Sequence, residues 1–189
     1  MQVLSVNTGR ARQVDIKGRQ VLTAIAKASR AGPVEVHPLG LAGDEQADLS
    51  VHGGLSKAVY AYPSEHYGFW QTVRAQASVA LWDEALPFGA IGENLTIEGV
   101  TEKALWIGDR LRFPGCVLAV SEPRMPCFKF NAAMGFAQAA KLMHQSAFCG
   151  AYLSVLQAGQ LTAGDRFDIE PGPRLLSLEE VFRSRYKSP

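Results

Sequence analysis

Residues 108–121 read Gly108-Asp-Arg-Leu-Arg-Phe113-Pro-Gly-Cys116-Val-Leu-Ala-Val-Ser121. A Gly-Asp turn leads into an alternating run, as the entries of hairpins do, and a second β-rich run follows almost at once. Gly164-Asp165 repeats the device ahead of DRFDIE at 165–170, and similar short runs occur at MQVLSV (1–6), VEVHPL (34–39), KAVYAY (57–62), NLTIEG (94–99) and AYLSVL (151–156). Many short strands punctuated by glycine and aspartate predict a mainly β fold. The expectation is a closed or nearly closed β-barrel with a few short helices, and not an alternating βαβ sheet.

Three helices are expected. Ser64 and Glu65 open a stretch with Tyr67, Trp70, Val73 and Arg74 on helical spacing, and Ala132 to His144 forms a second candidate. Ser177-Leu-Glu-Glu180 is a capping-box pattern that starts a third, running to about Tyr186. Glu170-Pro-Gly-Pro-Arg174 reads as a linker, which divides the chain into a barrel domain at 1–170 and a short helical tail at 171–189.

Composition narrows the function classes. With 19 Lys and Arg against 18 Asp and Glu, the formal charge is +1, so no bulk attraction to nucleic acid or membrane surfaces is expected. The start, MQVLSVNTGRARQV, lacks the apolar run of a signal peptide, and no segment has the length of a membrane span; a cytoplasmic location is expected. The three cysteines, 116, 127 and 149, are widely spaced and do not form a disulfide framework. No C-x-x-C or H-x-x-x-H pair suggests zinc.

Chemistry concentrates in three stretches. In Glu122-Pro-Arg-Met-Pro-Cys-Phe-Lys-Phe130, Pro123 and Pro126 stiffen the chain beside Cys127, and Arg124 and Lys129 favour its thiolate, the form that attacks electrophiles or binds metals. The plain alternative is a small buried hydrophobe. The second stretch, Gly40 to Lys57, carries Asp44, Asp48, His52, Gly53, Gly54 and Lys57. The glycines allow close backbone approach and the turn N–H groups and Lys57 suit an anion; equally, these residues could form an ordinary loop with a solvated lysine and a packed histidine. The third, Gly89 to Leu95, places Glu93 and Asn94 where they could bond a heterocycle or simply cap a turn. P-loop, dinucleotide and nucleophile-elbow motifs are absent.

Taken in order, "GLAGDEQADLSVHGGLSKAVYAYPSEHYGFW", "GAIGENLTIEGV", "IGDRLRF", "EPRMPCFKF" and "GAYLSVLQAGQLTAGDRFDI" resemble the MOSC domain family, and within it the YiiM-like branch of stand-alone bacterial proteins. The resemblance spans roughly residues 1–170. It implies a barrel holding the molybdenum cofactor of the molybdopterin type, with Cys127 of the R-x-P-C motif as the protein thiolate on the metal. It further implies cofactor contacts from Arg124, Lys57, His52, Gly53, Gly54 and Asn94. The branch commonly carries a helical bundle after the barrel, where one helix is expected here.

The implied activity is reduction of N-hydroxylated compounds, purine bases or hydroxylamines, to the amine with loss of water. Two electrons must then come from a separate donor protein, a flavin reductase or an iron–sulfur protein, because no flavin or nicotinamide motif is present; a homodimer is compatible with this reading. The alternative from another class is a non-catalytic carrier of molybdenum cofactor or of sulfur through a Cys127 persulfide. A pyridoxal phosphate site on Lys57 or Lys129 and a nucleic-acid-binding barrel are further, less supported readings.

Overall fold

The structure, a computed structural model, describes residues 1–47 and 53–185. In chain order the strands are β1 (Gln2–Thr8), β2 (Arg12–Ile16), β3 (Arg19–Thr23), β4 (Ala28–Ser29), β5 (Val34–His37), β6 (Gly40–Leu41), β7 (Val59–Pro63), β8 (Leu95–Glu98), β9 (Arg110–Arg112), β10 (Val117–Pro123), β11 (Ala151–Gln157), β12 (Gly159–Leu161) and β13 (Asp168–Glu170). The α-helices are α1 (Tyr67–Gln76), α2 (Phe128–Met134), α3 (Ala139–Ser146) and α4 (Leu178–Arg185).

An eight-stranded sheet runs β13-β9-β10-β11-β7-β8-β1-β4, with a three-stranded sheet β12-β5-β6 and a separate hairpin β2-β3. Among the described residues only β7 and β8 pair in parallel, which their long connection through α1 permits. β7 is buried along its whole length because both faces of the sheet are covered. Its side chains alternate: Val59 and Ala61 enter one core with Leu95, Leu118, Leu153 and the small sheet's Val34 and Val36. Tyr60 and Tyr62 enter the other, with Trp70, Phe130 and Phe182 from the helices. The period-two pattern of VYAY thus separates an aliphatic interior from an aromatic layer under the helices.

The sheet-dominant fold with few helices agrees with the sequence expectation, but a closed barrel is not found. The sheet ends at β13 and β4. Its seam is crossed by one bridge, Gln2↔Arg166, flanked by bonds from Val3 N–H to Asp165 O (2.9 Å) and from Gly164 N–H to Val3 O (2.8 Å). Closure fails because the far end of β1 pairs with β4, Asn7↔Ser29 and Thr8↔Ala28, leaving no continuous ladder across the seam.

The expected helix from Ala132 to His144 is two helices. Gly135, at φ +85°, ends α2 in the left-handed region, where a residue without Cβ is at ease, and α3 restarts four residues later. At the other end of the chain the capping box forms as read: Ser177 Oγ accepts the Glu180 N–H (3.2 Å) and Glu180 Oε2 accepts the Ser177 N–H (2.9 Å). α4 then buries Leu178 in the aliphatic core and Phe182 in the aromatic one. Among the described residues no helix is long and apolar enough to cross a membrane.

Candidate functional site

Where β10 ends at Pro123 the chain turns off the sheet, and Cys127 becomes the cap of α2, its carbonyl accepting the Phe130 N–H at 2.9 Å. This places a half-buried thiol on the wall of an open cleft of about 610 Å³, counting the space open to solvent. Asp44, Lys57, Asn94, Arg124 and Lys129 line the same cleft, so with Cys127 the structure brings together six of the residues singled out in the sequence. Gly53 and Gly54 are not among the lining residues, and the Gly54 N–H donates to Gln46 Oε1 (3.1 Å), which leaves it unavailable to an anion. His52 and Asp48 lie outside the described residues.

Arg124 is 4% exposed. Its guanidinium lies 5.1 Å from the Tyr60 ring centre and 4.9 Å from that of Phe130, and NH1 reaches Met143 Sδ at 3.9 Å. Among the described residues no carboxylate lies within ion-pairing distance of it. A buried charge held by aromatic faces, a thioether and the Tyr60 and Tyr152 side chains, with no carboxylate, is only partly compensated, since each cation–π contact is worth ~1–2 kcal/mol against a desolvation cost of several. Lys57 is placed differently: its Nζ is 3.9 Å from Glu122 Oε2 and 5.9 Å from the Tyr152 ring centre. Glu122 also accepts from Ser56 Oγ and Arg185.

Asp44 and Asn94 both line the cleft and brace it. Asp44 accepts the Gly9 N–H at Oδ1 (2.8 Å) and the Asn94 amide at Oδ2 (2.9 Å), while Asn94 Oδ1 accepts the Tyr60 N–H (3.1 Å). Glu93 is a brace alone. It is fully buried and accepts from Gly89 N–H, Ile91 N–H, Thr96 Oγ1 and Tyr67 OH, fixing the turn ahead of β8; burial pushes its carboxyl up.

Lys27, Tyr60 and Tyr152 also line the wall and were not singled out in the sequence. The two tyrosines share one face because they pair across β7 and β11, Tyr152↔Tyr60; the alternation in VYAY and AYL carried that signal. Burial pushes both phenols up, although the Arg124 charge opposes it. Lys27 follows the β2-β3 hairpin in a stretch without motif. Its ammonium is paired with Asp44. The lining thus holds four cationic side chains (Lys27, Lys57, Arg124, Lys129) against two acidic ones (Asp44, Glu45), an anion-favouring balance among the described residues.

The other two thiols are not part of this wall. Burial pushes Cys116 up to about 12 and Cys149 well above its ordinary value, and each sits in a core. Among the described residues no group of three or more His, Cys, Asp or Glu is placed to hold a metal ion. A metal at Cys127 therefore needs most of its ligands from elsewhere than these side chains.

The MOSC domain family matches residues 48–168. The chain is 34% identical over 185 residues to the uncharacterized protein YflK of Bacillus subtilis, covering 97% of this chain and 80% of that one. It is also 34% identical over 188 residues to a protein of Gibberella moniliformis named as a reductase, covering 97% of this chain but 32% of that longer protein. Among solved structures, YiiM from Geobacillus stearothermophilus superposes with a TM-score of 0.76 at 30% identity, over 97% of this chain and 83% of that one.

Proposed function

The chain belongs to the MOSC domain family, in its YiiM-like branch, and on that premise we propose that it is a molybdenum-cofactor-dependent oxidoreductase that reduces N-hydroxylated purines and hydroxylamines to the amine. The observation that carries this reading is the pairing, on one cleft wall, of the Cys127 thiol with a buried guanidinium that has no carboxylate partner among the described residues. A soft thiolate suits molybdenum. An arginine without a carboxylate partner among the described residues suits an anionic group, whose oxygens its fork can bind in pairs.

The cleft's residues fit the molybdopterin-type cofactor. The cleft is open to solvent on one side and lined by both cationic and aromatic side chains, as a site for an anionic heterocycle would be. Cys127 would hold the metal; Arg124 would take the anionic end, with Lys57 as a further contact, while Asn94, whose amide hydrogens go to Asp44 and the Asn7 carbonyl, would brace the wall behind it. When bound, the cofactor supplies the two-electron chemistry that these side chains lack. The protein orients the substrate and sets the local field. The Gibberella relative, named as a reductase, supports the reaction class. Electrons come from a separate flavin reductase or iron–sulfur protein.

The test is molybdenum and pterin analysis of protein made in a host that synthesises the cofactor, for wild type and Cys127→Ser, followed by turnover of an N-hydroxylated purine with dithionite-reduced viologen. Near-stoichiometric metal and turnover in wild type, both lost in the variant, support the assignment. Loading without turnover points instead to a carrier, and absence of metal and pterin from both proteins overturns the reading.

A further inference from the structure

Lys27 has a side chain only 7% exposed, yet it lines the cleft. One of its donors goes to Asp44 Oδ1, and no other hydrogen bond from it falls among the described residues. An ammonium carries three donors, so two remain for a ligand. Asp44 holds that ammonium firmly, because its own oxygens are fixed by the Gly9 N–H (2.8 Å) and the Asn94 amide (2.9 Å). A buried, oriented cation is thus presented to the same space as Cys127.

The other polar groups on this wall are poorly suited to give up a proton. Arg124 does not deprotonate in proteins. Burial pushes the Tyr60 and Tyr152 phenols up, so they release protons reluctantly. Lys57 faces Glu122, and Lys129 donates to the Leu22 carbonyl (2.9 Å). For Lys27, burial lowers the pKa, against the opposing pull of Asp44 and Glu93 and with a push from Arg124 in the same direction as burial. A lysine shifted in that direction is a better acid at neutral pH than one in water.

Resting on the reductase reading above, we propose that Lys27 is a catalytic residue that donates a hydrogen bond, and then a proton, to the hydroxyl oxygen of the N-hydroxylated substrate, with Asp44 as the positioning residue for its ammonium. The reaction consumes two electrons and two protons: the N–O bond breaks, an N–H bond forms, and oxygen leaves as water. The electrons come from the external reductant. Lys27 supplies the proton that turns the departing hydroxyl into water, solvent supplies the proton on nitrogen, and Lys27 is reprotonated from solvent.

The experiment compares wild type, Lys27→Met and Lys27→Arg, each matched for molybdenum and pterin content, with reduced viologen and N-hydroxylated purine. Calorimetric affinities for that purine and for the parent purine lacking the hydroxyl are measured alongside. Lys27→Met is expected to lose ~10²–10⁴-fold in kcat. It should also lose the wild type's tighter binding of the hydroxylated base. Lys27→Arg should keep the binding preference but not kcat, since it can donate a hydrogen bond and not a proton. Asp44→Asn should shift the alkaline limb of the pH–kcat profile, which a merely structural brace would not move. If Lys27→Met misfolds through its orphaned carboxylate, the pair Lys27→Met with Asp44→Asn replaces it.

A Lys27→Met kcat within threefold of wild type overturns the proposal and leaves the reductase reading intact. If wild type carries cofactor but does not turn over, the reductase reading fails and binding alone decides: equal affinity for the two purines in wild type overturns the role of Lys27, and a preference lost in Lys27→Met upholds its contact with the hydroxyl.

Discussion

The guanidinium of Arg124 stands 5.1 Å from the ring centre of Tyr60 in the buried wall of the cleft, with no carboxylate among the described residues to balance it. In the protein without a ligand this is an electrostatic cost. Arg124→Met keeps the length of the side chain and removes the charge. It is expected to raise stability in urea by ~0.5–2 kcal/mol while abolishing retention of molybdenum and pterin. A variant that is less stable than wild type would show that the aromatic contacts outweigh desolvation.

The three thiols differ in burial, and reagents should report it. Cys127 is expected to react with a disulfide reagent at pH 8 far faster than Cys116 and Cys149, which burial holds protonated. Cys116→Ala and Cys149→Ala should retain activity, at a stability cost of ~1–2 kcal/mol each. Cys127→Ser should fold like wild type and lose turnover altogether. Rapid labelling of two or more thiols in the native protein would contradict the burial.

Lys27 also predicts a pH effect on stability. Burial lowers its folded pKa below the ordinary 10.5, so between the two values the unfolded chain binds more protons than the folded one. Stability therefore rises with pH through that window, and is lost as pH falls through the folded value. Relative to Lys27→Met, the wild-type urea midpoint should climb as pH approaches 10.5. A wild type that loses ground to the variant over that range would reverse the sign.

α4 is held by its cap and its core side chains. Ser177→Ala removes the acceptor of the Glu180 N–H and should cost ~1 kcal/mol. Phe182→Ala, at a fully buried position, should cost ~3–5 kcal/mol. Thermal melts of the two variants, taken together, check that order; equal losses would mean that the helix contributes little beyond its first turn.

Close backbone approach limits a further position. A Cβ at Gly159 would lie 1.9 Å from the Gly115 carbonyl oxygen, so β12 cannot keep its place beside the β9-β10 turn with any larger residue. Gly159→Ala should lose ~3 kcal/mol or more, or fail to accumulate as soluble protein. Wild-type stability in that variant, measured by urea unfolding, would place the two segments farther apart than described.

What was legible in the sequence was what depends on local pattern. The period-two runs located β1, β5, β7 to β11 and β13 to within a few residues, and the capping box at Ser177 located α4. Three features escaped because their causes are not local. The hairpin β2-β3 has alternation at Gln13, Val14, Val21 and Leu22, but no core to bury it. The open seam arises from competition between β4 and residues 164–166 for one edge of β1, which no single run displays. Lys27 belongs to the cleft only because Asp44, 17 positions away, captures its ammonium. The motif around Cys127 and Arg124 was readable because residues three apart carry both the thiol and the guanidinium.

β7 lies between two cores, and its residues alternate between them one by one. Neither core can then melt while the other persists, since the strand that would have to leave one also lines the other. Amide hydrogen exchange along Val59–Tyr62 should consequently proceed only through global unfolding, whereas the coreless hairpin at 12–23 should exchange through openings of its own. The strand expected to carry the slowest amides is thus also the one that presents Tyr60 to the cleft, which keeps that part of the wall rigid for as long as the protein is folded.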